Sequence, residues 1–442
     1  MRLSLPELLR LPAKLYYGWR IVGLGMIVNA VGGGIYLYGF AIFFLPITKD
    51  LNLSRAATSA VFSLARAEGA IEGPIAGWLV DKFGPKYILL AGAFLTGLGY
   101  ILLSQIDSFA GFLIIYLVVI SLGFNGGFSH TILAAINTWF IRRRGFAMST
   151  TTSAFSLGGA VLAPLLSFLV LEFGWRTASI MAGVAIWVFV LPAALGFKRS
   201  PESMGLRPDG DPDPAAGGAD GALEQPPEKD YSIREALKTR SYWVLALATT
   251  LRLAVINVIT VHFIPIMVWK GSDEATAAVL LGVMAFLSVP ARIFLGWAGD
   301  KAPKNLIISA GMVMGVVSFF VLLFAESSLQ IWVFVVLFAV VEGVNPLNWA
   351  IIGDFFGRSS FATLRGVMSL VYTVGTVASP VAAGFIYDET QSYALAIGGM
   401  AILYALGAIT FSLLRAPHET VAGAIPVLAP KKTPDIESEA SG

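Results

Sequence analysis

Apolar runs recur along almost the whole chain, each close to the roughly 20 residues that a helix needs to cross a bilayer. They fall at 19–45, 57–80, 87–105, 109–140, 146–171 and 177–197. They resume at 242–268, 275–299, 305–325, 329–353, 362–387 and 394–414. The pattern predicts twelve membrane-spanning helices in two sets of six. In hydrocarbon the backbone must satisfy its own hydrogen bonds, and these runs are too long for barrel strands, so the expected class is all-α integral membrane. Residues 1–18 carry Arg2, Arg10 and Lys14 among leucines at helical spacing and read as an amphipathic segment on the membrane surface. Residues 198–240 are polar and rich in Pro, Gly and Asp, which predicts a flexible linker between bundles at 19–197 and 241–414. The tail 415–442 has the same character and is expected to be disordered.

One short turn occurs twice. Gly77-Trp78-Leu79-Val80-Asp81-Lys82 ends the second run and Gly296-Trp297-Ala298-Gly299-Asp300-Lys301 ends the eighth. The two lie 219 residues apart in a chain of 442, so the sequence is built twice. Composition agrees with a membrane protein: 56% hydrophobic and 13% charged residues, against about 25% charged in soluble domains. Net charge is only +2 and no basic-aromatic platform is visible, which argues against a nucleic-acid partner. With no cysteine and three histidines, neither disulfides nor a metal site is expected. No nucleophile–base pair or phosphate loop appears, so neither an enzyme nor a cofactor is expected. The first run is too long for a cleavable signal. Of 30 lysines and arginines, 23 fall on one face of the predicted topology, 4 on the other and 3 within helices. That asymmetry places both termini and the linker in the cytoplasm of a cell whose inner (plasma) membrane holds the chain.

Charges inside the runs are the candidate chemistry, because an ionisable group at bilayer depth normally faces a cavity or a partner. Arg292 lies eight residues before Asp300; its planar fork suits a carboxylate, and an interhelical salt bridge is the other reading. Arg252 sits near the middle of the seventh run with no acid within a helical turn of it. Asn257 joins it as a substrate-binding candidate, as do Tyr38 and Tyr372, whose hydroxyls would serve an otherwise apolar pocket. Glu68 and Glu72 share a helix face, with Arg66 pointing elsewhere. Two close carboxylates in a low dielectric could carry a proton, or one of them could neutralise a neighbouring base. His262 titrates in a range suited to pH coupling or packs between helices. Glu342, before the polar break Gly343, Asn345 and Pro346, could line the cavity, and His130 is a weaker candidate. Asp81, Lys82, Arg144, Asp300 and Lys301 read as gating charges, with Arg144 the expected partner of Asp81.

The turn Gly77–Lys86 resembles the signature loop between helices 2 and 3 of the major facilitator superfamily, and Gly296–Lys304 resembles its degenerate second copy. Further stretches resemble the monocarboxylate transporter-like and oxalate–formate antiporter-like branch. These are Tyr17-Gly18-Trp19, Asn137-Thr138-Trp139-Phe140 with Arg144-Gly145, Gly174-Trp175-Arg176, and the linker's Pro201-Glu202 through Gly210. Val261–Pro265 and Asp354-Phe355-Phe356-Gly357-Arg358 complete the set. The resemblance implies two six-helix bundles that rock around a central cavity, with the helix-8 arginine, here Arg292, on the substrate anion. It also shows departures. Animal monocarboxylate carriers have an aspartate where Ser288 stands and a lysine near Tyr38, and the helix-11 lysine of the oxalate carrier has no counterpart here. The expected function is secondary active transport of a small organic anion, a monocarboxylate first, with or without coupled protons, by a monomer in the lipid bilayer. Export of a larger amphipathic compound, with the arginines structural, is the alternative.

Overall fold

The structure, a computed structural model, describes residues 16–53, 55–211 and 230–417. Nearly all of the expected N-terminal amphipathic segment, the middle of the linker and the tail beyond 417 lie outside the described residues.

Twelve membrane-length helices run through the described residues. Helix α1 comprises Tyr17–Gly33, a π-helical segment Gly34–Tyr38, and Gly39–Asp50. Helices α2 (Arg55–Phe83) and α3 (Pro85–Leu103) follow. Helix α4 runs from Phe109 to Trp139 and contains two π-helical segments, Ile115–Ser121 and Asn125–Ser129. Helices α5 and α6 share one helical stretch, Arg144–Leu195, and are separated at Gly174, whose φ of 77° breaks the helix. In the second half, α7 is Arg240–Trp269, α8 Glu274–Gly299 and α9 Lys304–Leu323. Helix α10 is Ser328–Glu342 followed by Asn345–Phe356, α11 is Phe361–Thr390 and α12 is Ala394–Ser412. The boundaries lie where local chemistry puts them. Ser327 and Gln330 form a capping box that starts α10, Asp273 accepts from the Thr276 N–H to start α8, and Pro85 occupies the first turn of α3. A short helix, Ile233–Lys238, with its own capping box leads from the linker into α7.

Lipid supplies no hydrophobic drive between helices, so small residues and interhelical hydrogen bonds hold each half together. Asn29 Nδ2 donates to the Thr151 carbonyl, joining α1 to α5, and the Ser179 hydroxyl donates to the Tyr100 carbonyl, joining α6 to α3. The Tyr242 hydroxyl donates to the Leu364 carbonyl and that of Ser309 to the Ala408 carbonyl, which join α7 to α11 and α9 to α12. Outer faces remain apolar and uncovered: Phe286 is 71% exposed and Leu171 81%. Such a surface belongs in lipid.

The halves meet along two seams, α2 against α11 and α5 against α8. Both seams lie toward the end that carries Asp81, Asp300 and the linker, here called the linker end. Along the first, a β-carbon on Gly366 would lie 2.1 Å from the Gly73 carbonyl oxygen, and one on Gly73 would lie 2.4 Å from the Ser369 hydroxyl oxygen. Along the second, a β-carbon on Gly145 would lie 2.8 Å from the Gly296 carbonyl oxygen. The substitution Gly366→Ala should therefore push α2 and α11 apart at a cost of roughly 1–3 kcal/mol. Because the chain has no cysteine, spin labels on cysteines placed at 83 and 306 can report this. Their distance distribution should shift to longer values in Gly366→Ala, and an unchanged distribution would show that the seam tolerates a methyl group.

Candidate functional site

Two carboxylates close the linker end. The first four N–H groups of any helix lack intrahelical partners and carry positive partial charge. Asp81, at the end of α2, accepts from the N–H groups of Ala362 (3.2 Å) and Thr363 (2.9 Å) and from the Thr363 hydroxyl (2.6 Å) at the start of α11. Asp300, at the end of α8, accepts from the N–H groups of Gly145 (2.7 Å) and Phe146 (2.9 Å) at the start of α5. Each copy of the repeated turn thus caps a helix of the opposite half. This corrects the expected pairing of Asp81 with Arg144. The bare amides of α11 stand nearer to Asp81, and Arg144, fully buried, instead reaches Asp354 at 2.7 Å. Lys304 joins Asp354 at 2.8 Å. Lys82 and Lys301 do not cross between halves in these contacts: they lie 4.5 Å and 3.9 Å from the ring centres of Trp78 and Trp297 on their own helices.

The linker reinforces the closure. Asp209 accepts from the backbone N–H groups of Ile141, Arg142 and Arg143. Asp230 does the same for Arg358 and Ser359 in the other half. Arg358 bridges the halves by donating to the Thr138 carbonyl (2.8 Å) and to Glu202 of the linker (2.9 Å).

Three polar groups occupy the interior beyond this floor. In the first half, the π-helical segments of α4 bring Ser121 and Asn125 against α2, where both donate to the Ala65 carbonyl. Tyr36, from the π-helical segment of α1, donates to Ser121 at 3.3 Å. Glu68 and Glu72 lie in this group. Both oxygens of Glu72 and one of Glu68 are buried without a hydrogen-bond partner. The Arg66 side chain lies outside the described residues.

The second group lies in the other half. Arg252 is 1% exposed and donates to Asn345 Oδ1 at 2.7 Å, leaving its Nε and one Nη without hydrogen bonds. Arg292 faces the gap between halves. It lies 3.6 Å from Glu342, with both side chains about 15% exposed, and makes one long hydrogen bond of 3.4 Å to Ser156 of α5. Its Nε has no partner. Tyr38 packs on Gly159, one turn along α5 from Ser156.

The third group joins two sequence candidates, Tyr372 and His130, to one residue that was not foreseen, Arg365. Arg365, counted in the topology among the basic residues of the cytoplasmic face, is 6% exposed inside α11 and stacks at 4.7 Å over Trp349 of α10. Tyr372 packs on the same tryptophan at 5.9 Å. His130 of α4 lies 7% exposed with Nδ1 unbonded. The signal was present: Arg365 lies three residues inside the apolar run 362–387. Other candidates stand apart. Asn257 donates to the Leu253 carbonyl of its own helix. His262 uses both ring nitrogens between helices, meeting the Tyr393 hydroxyl at 3.1 Å and the Pro380 carbonyl at 3.0 Å.

A family model described as Major Facilitator Superfamily matches residues 22–363 and 271–435. The chain belongs to that superfamily. Its similar proteins include Monocarboxylate transporter 13 of Bos taurus, 24% identical over 91% of this chain and 90% of that one. A probable sulfoacetate transporter of Cupriavidus necator is 26% identical over 85% and 88%. The oxalate:formate antiporter of Oxalobacter formigenes is 26% identical over about half of each chain. The crystal structure of FucP in the outward conformation superposes with a TM-score of 0.68 at 16% identity, covering 89% of this chain and 98% of that one. This member of the superfamily is therefore a multi-pass membrane transporter and not an enzyme.

The capping acids give the closure a pH dependence. Burial pushes the Asp300 carboxyl up to about 6, against the Phe146 and Gly145 amides and Lys304, which pull it down. In an open end the same carboxyl would face water and titrate near 3.9, roughly the ordinary aspartate value. The closed end then binds more protons between about pH 4 and 6, so acidification through that window stabilises closure and raising the pH through 6 removes the gain. Spin labels at 83 and 306 should show more of the short-distance population at pH 5 than at pH 7. In Asp300→Asn the difference should shrink.

Proposed function

We propose that this transporter moves a small organic anion, a monocarboxylate first, by alternating access of the bundles 19–197 and 241–414, with 198–240 as the connecting linker. The observation that supports the carboxylate is Arg292. It lies at the boundary between the halves, partly exposed, with a fork whose Nε is unbonded and whose remaining contacts are long. A planar guanidinium in that state suits a bidentate carboxylate. Arg252, buried behind it, raises the local potential, and Tyr38 and Tyr372 offer hydroxyls from opposite halves. The names of the similar proteins, which include monocarboxylate and sulfoacetate carriers, agree with this class.

The linker end carries most of the basic residues, so it belongs in the cytoplasm of a cell whose plasma membrane holds the monomer. In that orientation the linker-end closure is a closure toward the cytoplasm, with Asp81, Asp300 and Arg144 as its gating residues. Glu68 and Glu72 are the proton-carrier candidates of the first half, since they stand one turn apart on α2 and bring buried carboxylate oxygens to the interior. His262, bonded at both nitrogens, has the geometry of a packing residue.

A second reading, export of a larger amphipathic compound, draws on the contacts that Arg252 and Arg292 make with Asn345 and Glu342. Uptake of labelled lactate and pyruvate into proteoliposomes separates the two. Losing one partner of a partly desolvated charge pair costs roughly 2–5 kcal/mol. Arg292→Gln should therefore abolish carboxylate uptake, while Arg292→Lys retains a fraction. Full uptake by Arg292→Gln, or stronger competition from apolar compounds than from short carboxylates, would favour the exporter.

A further inference from the structure

Among the described residues, Glu342 is the carboxylate that stands beside Arg292. It ends the first segment of α10, Ser328–Glu342, immediately before Gly343 and the second segment that starts at Asn345. The groups that face it come from each helix packed around it. Arg292 of α8 lies 3.6 Å away. Arg252 of α7 and the buried, unbonded hydroxyl of Tyr404 of α12 lie within electrostatic reach of it. Helix α9 presents no charge at this depth, as its one charged residue, Lys304, sits at the linker end. On α8 itself no acid adjoins the arginine, because Ser288, one turn earlier, is buried and donates to the Ala285 carbonyl.

A separation of 3.6 Å is an ion pair without a hydrogen bond. Arg292 is thus neutralised without being saturated, and its second contact, Ser156, is also long. We propose that Glu342 is the resident anion of the transport site. It holds Arg292 while the site is empty, yields it to an incoming carboxylate and takes up a proton as it does so. The inference rests on the carboxylate reading given above. Three physical arguments support it. A carboxylate deprived of its nearest cation in a weakly solvated cleft favours the protonated form. Glu342 also sits at a helix C-terminus, where backbone carbonyls disfavour an unpaired negative charge. The break at Gly343 gives it room to withdraw. The proton comes from the side to which the cleft is open, and no bond other than O–H forms.

Linkage requires that protonation and carboxylate binding strengthen each other by the same factor. Deprotonated Glu342 competes for Arg292, so carboxylate affinity must rise as the pH falls, by up to about tenfold per pH unit. The test is calorimetric titration of the purified full chain with L-lactate between pH 5.5 and 8. Buffers of different ionisation enthalpy report the protons taken up. The wild type should take up close to one proton per lactate bound. Glu342→Gln, checked for an intact thermal transition, should bind lactate at least as tightly as the wild type at its most acidic pH, with no proton uptake and no pH slope. Glu342→Asp should restore both. Proton uptake that survives in Glu342→Gln, or weaker binding than wild type at every pH, would overturn the assignment. Arg292→Gln distinguishes the two levels. If it binds lactate normally, the carboxylate reading fails and takes this one with it. If it loses lactate while Glu342→Gln still takes up the proton, only the role of Glu342 falls.

Discussion

A carboxylate placed against the bare amides of a helix N-terminus is the interaction on which this architecture turns. It occurs twice, from Asp81 onto α11 and from Asp300 onto α5, and each time it crosses between halves. The two seams bring backbone within contact at Gly73–Gly366 and Gly145–Gly296, and that closeness puts the amides within reach of the acids. Neither element works alone. Without the glycines the helix starts would stand off, and without the acids four amide donors would be buried and unmatched, at about 1–3 kcal/mol each. The ion pairs of Arg144, Lys304 and Asp354 then surround a closure already set by backbone geometry.

The interior is organised by a different balance. Among the described residues, the arginines Arg252, Arg292 and Arg365 and the glutamates Glu68, Glu72 and Glu342 lie within the helices. Their environments differ enough to separate their tasks. Arg252 is sealed and bonded to Asn345, and Arg365 is stacked on Trp349. Arg292 is partly open and held by long contacts. A buried charge with good partners costs much to disturb, whereas one with poor partners can exchange them. That difference, more than the number of positive charges, points to Arg292 as the group that changes partners during transport.

The helices were legible in the sequence because a bilayer imposes length and apolarity on each span. The repeated turn revealed the duplication, and Gly343, Asn345 and Pro346 showed where α10 breaks. The π-helical segments in α1 and α4 were not legible, because an inserted residue leaves hydropathy unchanged while turning Tyr36, Ser121 and Asn125 toward α2. Partner choice was hidden for a similar reason. Charges invite pairing with charges, so Asp81 suggested Arg144, and the free amides of α11 carry no mark in the sequence. Arg292 was visible as a lone charge in an apolar run, but Glu342 approaches it from another helix and only packing reveals the contact. Arg365 was miscounted because positive residues near a predicted helix end look like topology signals.

The crossed caps also make the molecule its own clock. The amide hydrogens of Gly145, Phe146, Ala362 and Thr363 bond to a carboxylate of the other half and to no carbonyl of their own helices' first turns. Whenever the halves part at the linker end, these four lose their acceptors together and meet water, while amides deeper in the same helices keep theirs. Their exchange with deuterium therefore reports the opening of the linker end: its population when reclosing is fast, and its rate when chemical exchange outpaces reclosing.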